Sequence, residues 1–271
     1  TEIDRSGDIV SGEALAEYNA AREHYQNLAT STPPTPEARA PKHDNDLKHW
    51  LKNMITHHQY TPHEVRAATG LPLAKVRQQI DDWNINQARL TKRTGDAPLR
   101  VLPYPGGRHP RIGFLDGALV PQRETKVSIF SPWNPHSYAV VDLPEAIWSN
   151  LGLTYLAHTH ISTIWDEQGK KLEQLEWSHN PDGALSLIRP LPNGIVFGSR
   201  VSSGHEVVRM SLWIRNGSAE TLTGLRAQVC VMLKGLPGFN QRIHANKVID
   251  GNWVACRDAD GKRWIITGWK P

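Results

Sequence analysis

The chain has 271 residues, of which 39% are hydrophobic and ten are tryptophan, so it is long enough for one large domain and a smaller one. No apolar run approaches the ~20 residues of a membrane-spanning helix, which excludes a membrane partner of that kind. The formal net charge is +4, and the positive excess lies beyond residue 98. We expect the chain to be soluble, in the cytoplasm or exported after loss of a leader.

Residues 1–43 are predicted to form an N-terminal helix followed by a proline-rich linker. Ser11 is a suitable N-cap, and apolar side chains then recur at helical spacing as far as Leu28. The run at residues 31–36 contains three prolines and has no hydrophobic periodicity, which is typical of an extended linker.

Residues 44–97 are predicted to form a small helical domain. Asp44 to Gln59 has an apolar stripe at helical spacing, and Thr61 to Glu64 has the pattern of a capping box. Two further helices follow, Val65 to Thr69 and Leu73 to Trp83, with a turn at Gly70. Together with the N-terminal helix, these give a segment of three or four helices.

Residues 61–83 resemble the helix-turn-helix motif in the spacing of Gly70, Val76 and Ile80. That resemblance implies a second helix that enters the major groove of DNA, although Arg66 stands where the motif has a small residue. Residues 43–98 carry eight basic and six acidic side chains, which gives little attraction for a phosphate backbone. The alternative is a helical cap that packs on the second domain.

Residues 98–271 are predicted to form an antiparallel β-sandwich or jelly-roll-like barrel, so the fold class is mainly β with a helical N-terminal part. Alternation is clearest from Glu206 to Ile214, where Arg209, Ser211 and Trp213 share the polar face. Asn216-Gly217 then gives a strong turn signal. The other predicted strands are 127–130, 138–141, 153–161, 184–188, 225–233, 247–255 and 263–268.

Cys230 and Cys256 are the only cysteines, and both fall in strand-like segments. Two cysteines are too few for a disulfide framework. We expect two buried thiols, with a single bridge between neighbouring strands as the alternative.

Two histidines in the predicted strand at 153–161 are candidate metal ligands. Side chains alternate across a strand, so His158 and His160 share a face at roughly 6.5–7 Å, and both can reach one divalent ion. Glu124, His109 or His205 would complete the ligand set of a Zn, Cu, Fe or Mn ion. The alternative is that the pair forms hydrogen bonds in a polar cleft.

The phrase from Gly152 to His160 is similar to the first metal motif of the cupins, a β-barrel superfamily. The resemblance implies metal binding by the two histidines, a nearby glutamate and a later histidine. The chain departs from the motif because Asp166 and Glu167 stand six and seven positions beyond His160, where the cupin glutamate follows by four or five.

Two wider resemblances cover more of the chain. Several stretches of the sequence are similar to an uncharacterised bacterial family of helical-plus-β proteins, and this resemblance implies no particular activity. They include 110–117, 122–126, 145–158 and 261–267. The strands from Leu185 to Leu233 resemble the sugar-binding sandwich of aldose epimerases in pattern, without matched catalytic residues.

Other candidate site residues flank the histidine pair. Arg108 and Arg111, beside two adjacent glycines, and Arg123 have planar guanidinium groups suited to an anionic substrate group. Trp165 is the preferred residue for stacking on a sugar, and Asp116, Glu124 and Glu167 are candidate catalytic carboxylates. The alternatives are a salt-bridged loop on the barrel rim and a tryptophan that fills the core.

These residues predict a β-sandwich enzyme, metal-assisted, that acts on a carbohydrate or similar polyhydroxylated or acidic substrate by hydrolytic, lyase or oxidative cleavage. No Gly-x-Ser-x-Gly, phosphate-binding glycine loop, His-Glu-x-x-His or Cys-x-x-Cys is present, which disfavours the corresponding enzyme classes. The alternatives are a ligand-sensing DNA-binding regulator and a non-catalytic carbohydrate-binding protein. The sequence does not indicate an oligomeric state.

Overall fold

The computed structural model describes residues 2–3, 9–10, 38–86, 93–105, 123–157, 161–239, 241 and 243–270. Within these residues the protein is mainly β, with several antiparallel sheets and four α-helices. The helix predicted from Ser11 and the linker predicted at residues 31–36 lie outside the described residues. No helix of the described part is long and apolar enough to cross a bilayer.

The helical segment of the N-terminal half follows the sequence prediction closely. Its elements are α1 (Asp44–Leu51), a π-helical continuation (Lys52–His57), α2 (Pro62–Thr69) and α3 (Leu73–Asp82). Thr61 and Glu64 form the predicted capping box, and Gly70 ends α2 with a φ of 71°. The helices share one hydrophobic cluster, which contains Leu51 and Val76.

Fourteen strands lie within the described residues. They are β1 (Glu2–Ile3), β2 (Ile9–Val10), β3 (Val101–Pro103), β4 (Lys126–Phe130), β5 (Tyr138–Ser149), β6 (Gly152–Leu156), β7 (Ser178–His179), β8 (Leu185–Pro190), β9 (Val196–Ser203), β10 (Val208–Arg215), β11 (Arg226–Met232), β12 (Lys247–Asp250), β13 (Trp253–Arg257) and β14 (Trp264–Gly268). A short helix, α4 (Ile164–Glu167), lies between β6 and β7.

Two larger sheets form the body of the β-rich part. The five-stranded sheet has the order β11-β5-β4-β3 with β6 also paired to β5, and the four-stranded sheet has the order β10-β9-β8-β7. One hydrophobic cluster contains Val141 of the first sheet and Leu187 and Val201 of the second, and another joins Tyr155 to Phe197. The two sheets therefore bury apolar side chains against each other. Strands β12, β13 and β14 form a separate antiparallel sheet.

The helical segment packs on the five-stranded sheet through buried polar and aromatic side chains. The amide of Asn53 donates to the carbonyl of Pro103 at 2.9 Å, and Nε2 of His58 lies 2.7 Å from the hydroxyl of Ser128. The His58 ring also meets Phe130 and Tyr138 edge-on, at centroid distances of 5.3 and 4.9 Å. These contacts agree with the helical cap that the sequence offered as an alternative to a DNA reader.

Several strand predictions differ from the structure. The strand predicted at 138–141 continues to Ser149, and the strand predicted at 153–161 ends at Leu156, with Ala157 and Ile161 outside it. The run 247–255 is two strands, because Gly251 turns the chain with a φ of 54° between β12 and β13. After the turn signal at Asn216-Gly217, the chain leaves one large sheet for the other, since β10 pairs with β9 and β11 pairs with β5. Both cysteines are free thiols, as expected; Cys256 is buried, whereas Cys230 is only partly buried.

Candidate functional site

The structure describes five of the predicted site residues, Arg123, Glu124, Trp165, Glu167 and His205. The other six lie outside the described residues, so their roles stay predictions: Arg108, His109, Arg111, Asp116, His158 and His160.

Glu124 is the centre of a buried charge network. Its Oε1 accepts a hydrogen bond from Nη2 of Arg189, and its Oε2 lies 4.0 Å from Nη2 of Arg39. Its backbone carbonyl accepts from the indole of Trp177 at 2.7 Å. The neighbouring void has a volume of about 10 Å³, which is room for roughly one water molecule. Guanidinium groups therefore balance the charge of the carboxylate, and the void that the described residues form beside it is too small for a sugar.

Arg123 binds the end of β6 instead of an open cleft. Its backbone amide donates to the carbonyl of Ala157 at 2.7 Å, and its Nη1 donates to the carbonyl of Leu156 at 2.7 Å. Its Nη2 lies 3.6 Å from Oδ1 of Asp166. Burial alone would raise the pKa of Asp166, but hydrogen bonds from Thr163 and the charge of Arg123 hold that pKa below its ordinary value. Arg123 thus fixes the residues that immediately precede the predicted histidine pair.

Trp165 and Glu167 are neighbours on α4 with opposite environments. Trp165 is 2% exposed, and its indole donates to the carbonyl of Thr154 at 2.7 Å. Because the ring is packed in the core beside Tyr155, it has no open face for the sugar that we expected it to bind. Glu167 is exposed to solvent.

His205 lies at the exposed turn between β9 and β10. Its Nε2 is 3.2 Å from the carbonyl of Gly95 and 3.9 Å from a carboxylate oxygen of Asp96. In the part of the chain that the structure describes, it forms no group of three metal-ligand side chains with Glu124 or Glu167. These described members of the predicted ligand set therefore do not fit a common metal ion, and we derive no metal-dependent step from them.

A different set of potential ligands lies where β5 pairs with β11. Ligand atoms of Asp142, Glu145 and Cys230 all lie within 4.8 Å of one another. However, the ammonium group of Lys126 contacts Asp142 within the buried interior. Burial, together with the two carboxylates, raises the pKa of the Cys230 thiol to about 12, so the thiol is protonated at neutral pH. Lysine already supplies the positive charge here, which disfavours a metal cation.

The outer side of the four-stranded sheet carries an exposed tryptophan. Trp213 on β10 pairs with Gly198 on β9, which pairs in turn with Ile188 on β8. A Cβ placed on Gly198 would overlap the indole of Trp213, so the ring lies directly over this glycine. Trp213 nevertheless remains 43% exposed and Ile188 60% exposed. The indole of Trp213 thus packs on the backbone of Gly198 with one side, and its other side is open to solvent.

We call this surface the Trp213 face. Its residues are placed by the registers of β8, β9 and β10 and alternate with the core residues of those strands. They are Ser186, Ile188, Pro190, Val196, Gly198, Arg200, Ser202, Arg209, Ser211, Trp213 and Arg215. Sequence alternation places Arg209, Ser211 and Trp213 on one face but predicts no role for that face. The sequence signal that could have identified this face is a tryptophan among the polar residues of an alternating strand.

An open groove of about 470 Å³ follows the end of β10. It is lined by Ile214, Leu225 and the intervening crossover, including the polar residues Ser218 and Thr221. Its size is within the range of small-ligand sites. Within the described residues it contains one acidic lining residue, Glu220, and no basic one.

Comparison with protein-family models, with curated proteins and with solved structures found no match to this chain.

Proposed function

We propose that this chain is a β-sandwich protein that binds carbohydrate on the Trp213 face. The shared hydrophobic clusters of the two larger sheets support the sandwich arrangement. The observation that carries the binding role is the position of Trp213, which covers Gly198 on one side and remains 43% exposed.

An exposed indole on a sheet has the chemistry that sugar recognition needs. The face of an aromatic ring is apolar and electron-rich, so it attracts the apolar C–H face of a pyranose ring. Serine hydroxyls on the same surface, such as Ser211, offer hydrogen bonds to the sugar hydroxyls. Because the indole is held by its own strand and by Gly198, little conformational freedom is lost when a ligand binds.

Glycan binding by matched variants tests this proposal. Trp264 on β14 is 46% exposed and lies in a different sheet, so Trp264→Ala is a control for the loss of a surface indole. Electrophoresis through gels that contain soluble polysaccharides should show retardation of the wild-type chain and of Trp264→Ala. Trp213→Ala should migrate as in a gel without glycan while keeping the wild-type melting temperature within a few degrees. Equal retardation of both variants would contradict the proposal.

The metal-assisted reaction predicted from His158 and His160 stays a prediction. Two hydrogen bonds from Arg123 hold the carbonyls of Leu156 and Ala157, so the chain that leads into the histidine pair has a defined anchor. Elemental analysis of purified protein should find a stoichiometric divalent metal that His158→Ala loses. A metal-free wild-type chain, after purification without chelators, would end this part of the prediction.

A further inference from the structure

Arginines surround the exposed indole of the Trp213 face. Arg215 stands two residues after Trp213 on β10, and Arg209 stands four residues before it. Alternate residues share a face, so these positions lie roughly 7 Å and 14 Å from Trp213 along the strand. Arg200 on β9 is directly opposite Ser211 and joins the same surface.

Two of these arginines form no ion pair with a carboxylate of the described residues. Arg200 pairs with Asp182, and both side chains are about half exposed. Among the described residues, no ion pair involves Arg209 or Arg215, both of which are exposed. The outward row of β10 reads Arg209, Ser211, Trp213, Arg215 and contains no acidic residue. The surface beside the indole is therefore positively charged.

We propose that the ligand of the Trp213 face is an acidic glycan, whose sugar ring packs on the indole while its anionic groups bind Arg209 and Arg215. This inference rests on the proposed carbohydrate binding and specifies the class of carbohydrate. Guanidinium groups bind carboxylates and sulfates through two parallel hydrogen bonds, which a neutral sugar hydroxyl cannot match. With one arginine on each side of the indole, the face suits a polymer whose charges repeat along its length.

Single-stranded nucleic acid is the competing polyanion, because it also combines stacking with positive charge. Proteins that bind such strands stack successive bases on several aromatic side chains along a basic groove. Among the described residues of this face, Trp213 is the one aromatic side chain, so several successive bases could not each stack on a ring there. The observations therefore favour the glycan.

A matched pair of polymers separates charge from sugar recognition. Polygalacturonate and its fully methyl-esterified form have the same backbone, but only the first carries carboxylates; dextran sulfate and dextran make the same comparison for sulfate. Titration calorimetry would compare the wild-type chain, the double variant Arg209→Gln/Arg215→Gln, Trp213→Ala and the control Arg226→Gln. Arg226 is exposed on β11, in the other large sheet.

We expect the wild-type chain to bind the charged polymer of at least one pair about tenfold or more tighter than its neutral partner. Two exposed ion pairs are enough for a tenfold ratio, which corresponds to about 1.4 kcal/mol. The double variant should lose about tenfold on the charged polymer and nothing on the neutral one, and Arg226→Gln should bind as the wild type. Added salt should weaken only the binding of the charged polymer.

The remaining outcomes separate this inference from the proposed function. Binding that needs Trp213 but is equal for charged and neutral polymers would overturn the acidic-glycan inference and leave carbohydrate binding in place. Binding to oligo(dT) that needs Trp213, with none to any glycan, would overturn both in favour of nucleic acid. Binding to none of these polymers would also overturn both.

Discussion

The buried pair of Lys126 and Asp142 provides the sharpest test of the packing described above. Their side chains are 1% and 0% exposed, and the ammonium group contacts a carboxylate oxygen. Transfer of each ion from water to the interior costs several kcal/mol, which the mutual attraction offsets only while both charges are present. Lys126→Met would leave Asp142 as a buried carboxylate beside Glu145, so we expect the free energy of unfolding to fall by about 3–5 kcal/mol.

The double variant Lys126→Met/Asp142→Leu removes both charges. We expect it to recover most of that loss and to unfold within about 2 kcal/mol of the wild type, because no unpaired ion remains. Urea unfolding followed by circular dichroism at pH 7 gives the four free energies of the cycle. The exposed pair of Arg200 and Asp182 is the control, and Arg200→Gln should cost about 1 kcal/mol or less.

A loss of less than about 1 kcal/mol for Lys126→Met would refute this reasoning. So would a double variant that is as unstable as the sum of the two single variants, since independent losses would mean that the two charges do not interact.

Three further predictions concern Gly198 and Trp165, which are buried, and His57, which is partly buried. Gly198→Ala should displace the indole of Trp213 and lower glycan affinity about tenfold. The free energy of unfolding should change by only about 1 kcal/mol, because alanine loses less backbone entropy on folding than glycine does. An unchanged glycan affinity would contradict the packing of the Trp213 indole over Gly198. Burial, followed by the charge of Arg100, lowers the pKa of His57 from 6.5 to about 4, so its stabilising effect is complete above pH 6.5 and is lost as the pH falls towards 4. Unfolding measured across this range should lose on the order of 1–2 kcal/mol, allowing for partial solvation of the ring, whereas a His57→Gln variant should have a flatter profile. Trp165→Phe should destabilise the fold by about 2–3 kcal/mol in urea, since it deletes a buried hydrogen bond and leaves a void; a surface residue would cost almost nothing.

The sequence predicted the structural elements that depend on residues close together in the chain. The capping box of Thr61 and Glu64 and the turn at Gly70 depend on contacts within one helix, and the structure confirms both. The alternation along β10 is likewise confirmed, because one side of the strand faces the core. The prediction of a single strand at 247–255 was wrong, because the structure has the hairpin of β12 and β13 there. Asp250-Gly251 is a turn signal that the prediction did not use.

Pairings between distant residues could not be predicted in the same way. The packing of the Trp213 indole depends on the register that places Gly198 opposite it, and sequence alternation within one strand contains no information on that register. The same limit applies to Glu124, whose burial depends on Arg39 and Arg189 from remote parts of the chain. A carboxylate beside an arginine in sequence looked like a catalytic group, whereas three-dimensional packing makes it part of a buried ion network.

Nuclear magnetic resonance of the indole N–H groups tests the central claim most directly. Each tryptophan gives one indole signal, and the variants Trp213→Phe and Trp264→Phe assign the two that matter. Titration with the glycan that retards the wild-type chain should shift or broaden the Trp213 signal first and leave that of Trp264 unchanged. An unshifted Trp213 signal at saturating glycan would contradict carbohydrate binding on the Trp213 face.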